Sequence, residues 1–247
     1  MPEQDIVTAA VLVIGDEILS GRTRDRNIGT IAERLTAVGI RLREARVVPD
    51  DTTAIVTAVN ELRARCTYLF TTGGIGPTHD DITADSIAAA FGVTIDVDDR
   101  ALSVMRPYYE SRGLELTAAR MRMARIPAGA ELITNHVSIA PGFRLGNVFV
   151  MAGVPRVMEA MLEAVLPTLA TGAPLLSRSI EVARPESEIA ELLASHQHRY
   201  GDVAMGSYPW YRDGKVGTEL VLRSIDARRL ASAFEELTLR LSEKSLI

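Results

Sequence analysis

Residues 71–83 read TTGGIGPTHDDIT, and their placement decides the fold. Three glycines and a proline occupy positions 73–77, directly after the strand-like run TYLFTT (67–72). Two aspartates follow, and Ala84, Ile87, Ala88 and Phe91 then recur at helical spacing until Gly92. A buried strand that turns on glycines and re-enters as a helix is one repeat of an open parallel α/β sheet.

Working outward, the flanking segments repeat the pattern. IVTAAVLVIG (6–15) is a near-continuous apolar run, as expected of a strand buried on both faces. Ile28, Ile31, Ala32, Leu35 and Val38 mark a helix stopped by Gly39. IRLREARVV (40–48) is a more polar strand suited to a sheet edge, and Ile55, Ala58, Val59 and Leu62 mark the next helix, with Asp51 at its N-cap. The βαβαβα order predicts an α/β domain whose mostly parallel sheet has helices on both faces. From 96 to 150 the periodicity weakens. It leaves a charged helix near 98–112, the RMRMARIP segment, and short strands near 131–134 and 147–151. VPRVMEAMLEAVLPTL (154–169) is amphipathic, with Pro155 in its first turn. After TGAP (171–174) a βαββα string follows, so the expected domains are 1–172 and a smaller α+β domain at 173–247.

Composition narrows the function classes. The 247 residues carry a formal net charge of -5, which disfavours broad nucleic-acid binding. The one cysteine, Cys66, leaves no internal disulfide, and no apolar run approaches the ~20 residues of a membrane span. MPEQDIV lacks a basic leader region and runs into a core strand, so a cytoplasmic location is expected.

Open parallel sheets bind ligands at the carboxyl ends of their strands. GDEIL (15–19) follows the first strand and TTGGIGPTHDD the third, so one sheet edge would gather Asp16, Asp80 and Asp81 near Gly73, Gly74 and Gly76. A Walker loop needs Lys followed by Ser or Thr directly after its glycines, and none follows Gly73–Gly76. A dinucleotide fingerprint begun at Gly74 meets His79 in its last glycine slot. What remains is the physics both motifs share: glycines that let amides approach an anion, with a helix N-terminus behind them. Thr71, Thr72 and Thr78 add hydroxyls. Carboxylates beside such a cradle are reconciled by Mg²⁺ or another divalent metal, held by Asp16, Asp80 and Asp81. Alternatively, an aspartate caps the helix and the glycines only make the turn.

Other candidates are weaker, and each has a bland reading beside the functional one. Arg22, Arg24 and Arg26 precede a helix, either as an anion-welcoming turn or a solvated one. Asn135 and Ser138 in NHVSIAPGF either close over a ligand or form a hairpin. His196 and His198 lack partners at zinc-ligand spacing, and the aromatics of SYPWYRDGK suit packing or stacking.

TTGGIGPTHDDIT, GDEIL with GRTRDRN, and APGF…NVFVMAGVPRVMEAM together resemble the competence/damage-inducible protein A (CinA) family over residues 5 to about 170. The resemblance implies the three-layer α/β/α molybdopterin-binding fold of molybdenum-cofactor biosynthesis proteins, followed by a small KH-like domain. It also implies a phosphate- or pyrophosphate-bearing ligand, either a nucleotide diphosphate hydrolysed with a metal or a molybdopterin-type ligand held without turnover. Asp16 and Asp81 match the family's acidic positions, and Gly73, Gly74 and Gly76 match its glycines. Relatives imply a homo-oligomer. The segment ends at Ile247, ahead of the family's amidase domain, so deamidation is not expected of it. The family's usual GSAPGF-like turn reads VSIAPGF here, with Ile139 ahead of Ala140.

Overall fold

The computed structural model describes residues 6–247, so the opening of the N-terminal stretch lies outside the described residues. Contacts divide the chain into two compact units, the second being Ala173–Ile247.

The first unit is built on a six-stranded sheet. In chain order it contains β1 (Thr8–Ile14), α1 (Asp16–Leu19), α2 (Asn27–Ala37), β2 (Arg41–Val48), α3 (Thr52–Arg65), β3 (Tyr68–Thr72) and α4 (Thr83–Phe91). A side hairpin of β4 (Ile95–Val97) and β5 (Arg125–Pro127) brackets α5 (Asp99–Glu110) and α6 (Ala118–Arg122). Then come β6 (Glu131–Ile133), β7 (Gly142–Leu145), β8 (Val148–Met151) and α7 (Pro155–Val165). The strand order is β2-β1-β3-β8-β7-β6, parallel from β2 to β8 and antiparallel beyond.

Period-two alternation sends each buried strand to both faces. Ala10, Leu12 and Ile14 of β1 join Ile55, Leu62, Ile87 and Met105 in one core. Ala9, Val11 and Val13 join Ile31, Leu35, Met158 and Leu162 in the other. Helices therefore cover both faces, giving the three-layer α/β/α arrangement. β2 lies at the sheet edge, as its polar sequence predicts, and Arg46 there bonds Glu44 and Glu61. Such charges discourage edge pairing.

Several boundaries differ from expectation. α4 starts at Thr83, two residues beyond the aspartates expected to cap it, and its N-cap residue, Ile82, makes no side-chain capping bond. Neither Asp80 nor Asp81 caps it. Thr83 is fully buried and its hydroxyl donates to the Gly73 carbonyl at 2.9 Å, tying the helix start to the glycine turn. The expected cap at Asp51 is present, accepting from the Ala54 amide at 2.8 Å. β7 and the β4–β5 hairpin escape sequence patterning because three or four residues are too short for a readable period.

The second unit comprises β9 (Leu176–Val182), α8 (Glu186–Arg199), β10 (Ala204–Arg212), β11 (Lys215–Ser224) and α9 (Ala227–Glu243). Its sheet, β10-β11-β9, is antiparallel throughout. Leu192, Leu220, Leu222, Leu230 and Leu237 form its own core. Asp213 and Gly214 turn the β10–β11 hairpin with φ of 51° and 74°, the positive pair a two-residue hairpin turn requires. Trp210 stands opposite Gly217, and a Cβ there would lie 2.1 Å from its ring. Among the described residues, no helix is long and apolar enough to cross a membrane.

Candidate ligand site

The strand order brings three glycine-bearing tips together. β3 lies between β1 and β8, so Gly15, Gly73 and Gly153 follow neighbouring parallel strands. The chain moves from β1 outward to β2 and returns past β1 to β3, which opens the crevice at their carboxyl ends where α/β folds bind ligands. Close packing demands glycine at two positions. A Cβ on Gly73, where φ is 103°, would meet the Ile14 carbonyl oxygen at 2.1 Å, and one on Gly74 would meet the Thr83 hydroxyl at 2.2 Å.

A cavity of about 530 Å³ opens here. Gly73–Pro77, Glu17, Thr23 and Asp81 line it together with Ser138, Ala140, Met123 and the Ala152–Pro155 tip of β8. Gly73 donates to Met151 O and Thr83 donates to Gly74 O, but among the described residues nothing accepts from the amides of Gly74, Ile75 and Gly76. Three successive amides thus remain free at the cavity wall, the arrangement that favours an oxyanion. The apolar residues Ile75, Val154, Val157 and Met161 supply a surface for a ring.

The acidic residues separate into two groups. Glu17 and Asp81 line the cavity. Asp81 accepts from both the Thr78 amide, at 2.8 Å, and the Thr78 hydroxyl, which orients the carboxylate and occupies that hydroxyl. Asp16 belongs to the other group: its amide donates to Asp50 Oδ2 at 3.0 Å, and its side chain is not among those lining the cavity. Burial pushes the Asp50 carboxyl above the usual range, and the charges of Asp16, Glu17 and Asp80 push it the same way. Asp16, Glu17 and Asp80 thus lie close enough to Asp50, at the end of β2, for their charges to act on it. Thr72 is buried at the end of β3, and His79 is exposed.

Sequence reasoning overlooked several residues. Asp50 follows β2 at the same sheet edge, which was the signal available for it. Arg122 donates to the Asp81 carbonyl at 3.3 Å, and its Nε is buried without a partner. Arg122 and Arg125 border a small recess shared with Gly74, Gly76 and Asp81, and Arg125 holds Asp85 through two 2.7 Å bonds. RMRMAR signalled positive charge, but not where the chain would bring it. The Asn135 side chain shapes the opposite loop, accepting from Val137 and Ser138 and donating to Ala140 O. Ile139 within that loop has a φ of 65°, a left-handed conformation rare for a β-branched residue.

For a metal, among the described residues no group of three or more His, Cys, Asp or Glu side chains is arranged to hold an ion. Of the expected ligands Asp16, Asp80 and Asp81, only Asp81 lines the cavity.

Comparison with known proteins agrees with this architecture. Residues 10–171 match a family described as a probable molybdopterin binding domain, and residues 174–247 match the middle domain of FAD synthase. The second match replaces the KH-like expectation for the tail. A CinA-like protein of Desulfosudis oleivorans is 40% identical over 197 residues, covering 75% of this chain and 48% of the relative. A protein of Aeropyrum pernix is 35% identical over 237 residues, covering 92% of this chain and 87% of its own. The crystal structure of CinA from Thermoplasma acidophilum, described as of unknown function, superposes with a TM-score of 0.60 at 35% identity, covering 65% of this chain and 96% of that one. The chain spans about half the length of the Desulfosudis relative. With both the glycine crevice and these matches in place, the chain belongs to the molybdopterin-binding domain family, as one of its CinA-like members.

Proposed function

We propose that the first unit is a receptor for a phosphate- or pyrophosphate-bearing small molecule of the pterin or nucleotide type. The observation that carries this reading is the run of three unpartnered amides, Gly74 to Gly76, on the wall of the cavity at the β1, β3 and β8 tips. The amides take the anion, and the apolar wall around Val154, Val157 and Met161 takes a ring. Membership of the molybdopterin-binding family supports a pterin-type ligand. Calorimetric titration of the whole chain with inorganic pyrophosphate, ADP-ribose and a phosphorylated pterin tests the proposal. Saturable binding of at least one is expected, and heats of dilution alone from all three would sink it.

A second reading adds turnover: Mg²⁺-dependent hydrolysis of a nucleotide diphosphate. It draws support from the two carboxylates, Glu17 and Asp81, that share the cavity with the amides. Mg²⁺ entering with the diphosphate would supply charge neutralisation and an activated water. Asp16 and Asp80 would act through the surrounding field, and Thr72 and Thr78 through the shape of the loop. Product analysis after incubation with ADP-ribose and several divalent metals decides this reading. Asp81→Asn should abolish any cleavage of the diphosphate (P–O–P) linkage while leaving the unfolding free energy within about 1 kcal/mol of the parent.

A further inference from the structure

The small recess beside the glycine turn shares Gly74, Ile75, Gly76 and Asp81 with the main cavity. Its remaining charged lining is Asp85 from α4 and two guanidiniums from the side hairpin, Arg122 at the end of α6 and Arg125 in β5. Asp85 stands in the first turn of α4, where a carboxylate interacts favourably with the amide end of the helix. The same placement sets a negative charge beside the Gly74–Gly76 amides that take an anion. Arg125 meets that charge with both arms: Nη1 donates to Asp85 Oδ2 and Nη2 to Oδ1, each at 2.7 Å. A two-bond planar fork is among the strongest geometries open to an arginine and a carboxylate.

As a fastener the pair is poorly placed. Its side chains are 28% exposed at Arg125 and 39% at Asp85, and pairs this open to water add little stability. The charge balance of the recess is more telling. Asp81 and Asp85 are opposed there by Arg122 and Arg125. Among the described residues Arg122 has no carboxylate partner and donates instead to the Asp81 carbonyl, at 3.3 Å. Without Arg125 the lining would be left one charge negative, next to the three unpartnered amides. A diphosphate carries several negative charges, and each of them would feel the uncompensated Asp85.

We propose that Arg125 is a positioning residue of the anion cradle: by holding and neutralising Asp85, it lets α4 keep a first-turn carboxylate without repelling the ligand. The guanidinium acts through Asp85 and does not touch the anion. This role rests on the anion-receptor reading above and adds the residue that sets the charge of its wall. It also gives the β4–β5 hairpin, which lies outside the six-stranded sheet, a part in binding.

The test is calorimetric titration of the full chain with inorganic pyrophosphate at ionic strengths of about 0.05 M and about 0.5 M, between which the Debye length falls roughly threefold. At the lower salt Arg125→Gln should weaken binding about five- to tenfold, and at the higher the deficit should shrink to about twofold. Asp85→Asn removes the charge and keeps the shape; it should bind about two- to fivefold more tightly than the parent, because Arg125 then acts unopposed. The double variant Arg125→Gln/Asp85→Asn should return to within about twofold of the parent. Arg34→Gln is the control: it removes the same charge from an exposed pair with Glu163 on the opposite helical layer, and should change affinity less than about twofold. An Arg125→Gln affinity equal to the parent's at both salts overturns the proposal. So does a loss that the double variant retains, which would mark direct anion contact or a purely structural clamp. Equal or weaker binding by Asp85→Asn overturns it as well, and that variant decides alone if Arg125→Gln does not fold. In each of these cases pyrophosphate binding by the parent leaves the cradle standing, whereas its absence overturns the cradle and the role of Arg125 together.

Discussion

At the scale of single residues, the glycine turn is held by packing as much as it is shaped for a ligand. Thr83 joins the two roles: its hydroxyl satisfies Gly73 O and its amide donates to Gly74 O at 3.0 Å. Thr83→Val keeps the shape but strands a buried carbonyl, so urea unfolding should show a loss of about 1–3 kcal/mol. Gly73→Ala has no such graded outcome, because its Cβ would collide with backbone of β1. It should abolish soluble expression or shift the tip enough to remove pyrophosphate binding. Individual glycines and Asp81 were legible as site candidates because a glycine cluster after a buried strand has few other uses. Glu17 was harder to choose over Asp16. Adjacent residues in a one-turn helix point in different directions, and only the three-dimensional path of α1 selects between them.

At the scale of elements, legibility followed length and burial. β1 and β3 announced themselves through continuous apolar runs, and α2, α3 and α7 through their apolar stripes. The β4–β5 hairpin, α6 and β7 did not, since each is stabilised by what it packs against rather than by a pattern of its own. Arg122 and Arg125 lie in this illegible stretch, which is why the recess they border beside Gly74, Gly76 and Asp81 went unseen. Local caps are a different matter, because their signals span only a few residues. Asp98 accepts from the amides of Arg100 and Ala101 at the start of α5 and also pairs with the Arg100 guanidinium. That guanidinium bond is the main cause holding the Asp98 carboxyl below its usual range. A lowered folded-state value means stability that is full above the ordinary aspartate range near pH 3.9 and is lost as pH falls through the folded value. Asp98→Ala should therefore cost about 1 kcal/mol at pH 7, and denaturant curves should show the deficit shrinking once the parent carboxyl is protonated in strong acid.

At the scale of the whole molecule, the chain forms two units, each with its own core. In the second, His196 is fully buried, with Nε2 2.9 Å from Ala233 O and Nδ1 3.2 Å from the Arg240 guanidinium. Arginine only donates, so Nδ1 accepts and the ring is the neutral Nε2–H form. Desolvation pushes its pKa below the ordinary 6.5; Arg240 and Arg199 act the same way, while the Ala233 bond and Glu236 oppose them. Below about pH 6.5 the unfolded chain takes up a proton that the folded ring refuses, so stability is full above that value and declines as pH falls toward the folded pKa. Urea midpoints between pH 7.5 and 5.5 should fall for the parent and change less for His196→Gln. The division into units was legible from the change of pattern after residue 170. The family of the second unit was not, because a short βαββα string is shared by unrelated small domains.

The stacking of Trp210 on Gly217 has a practical consequence. Trp210 is the protein's single tryptophan, and its indole nitrogen is buried without a partner. Excited at its red edge, the chain therefore emits from the second unit alone, giving an optical reporter of the three-stranded domain. A shift of that emission during urea unfolding would follow the loss of the β10–β11 pairing, while unfolding seen only by circular dichroism would belong to the first unit.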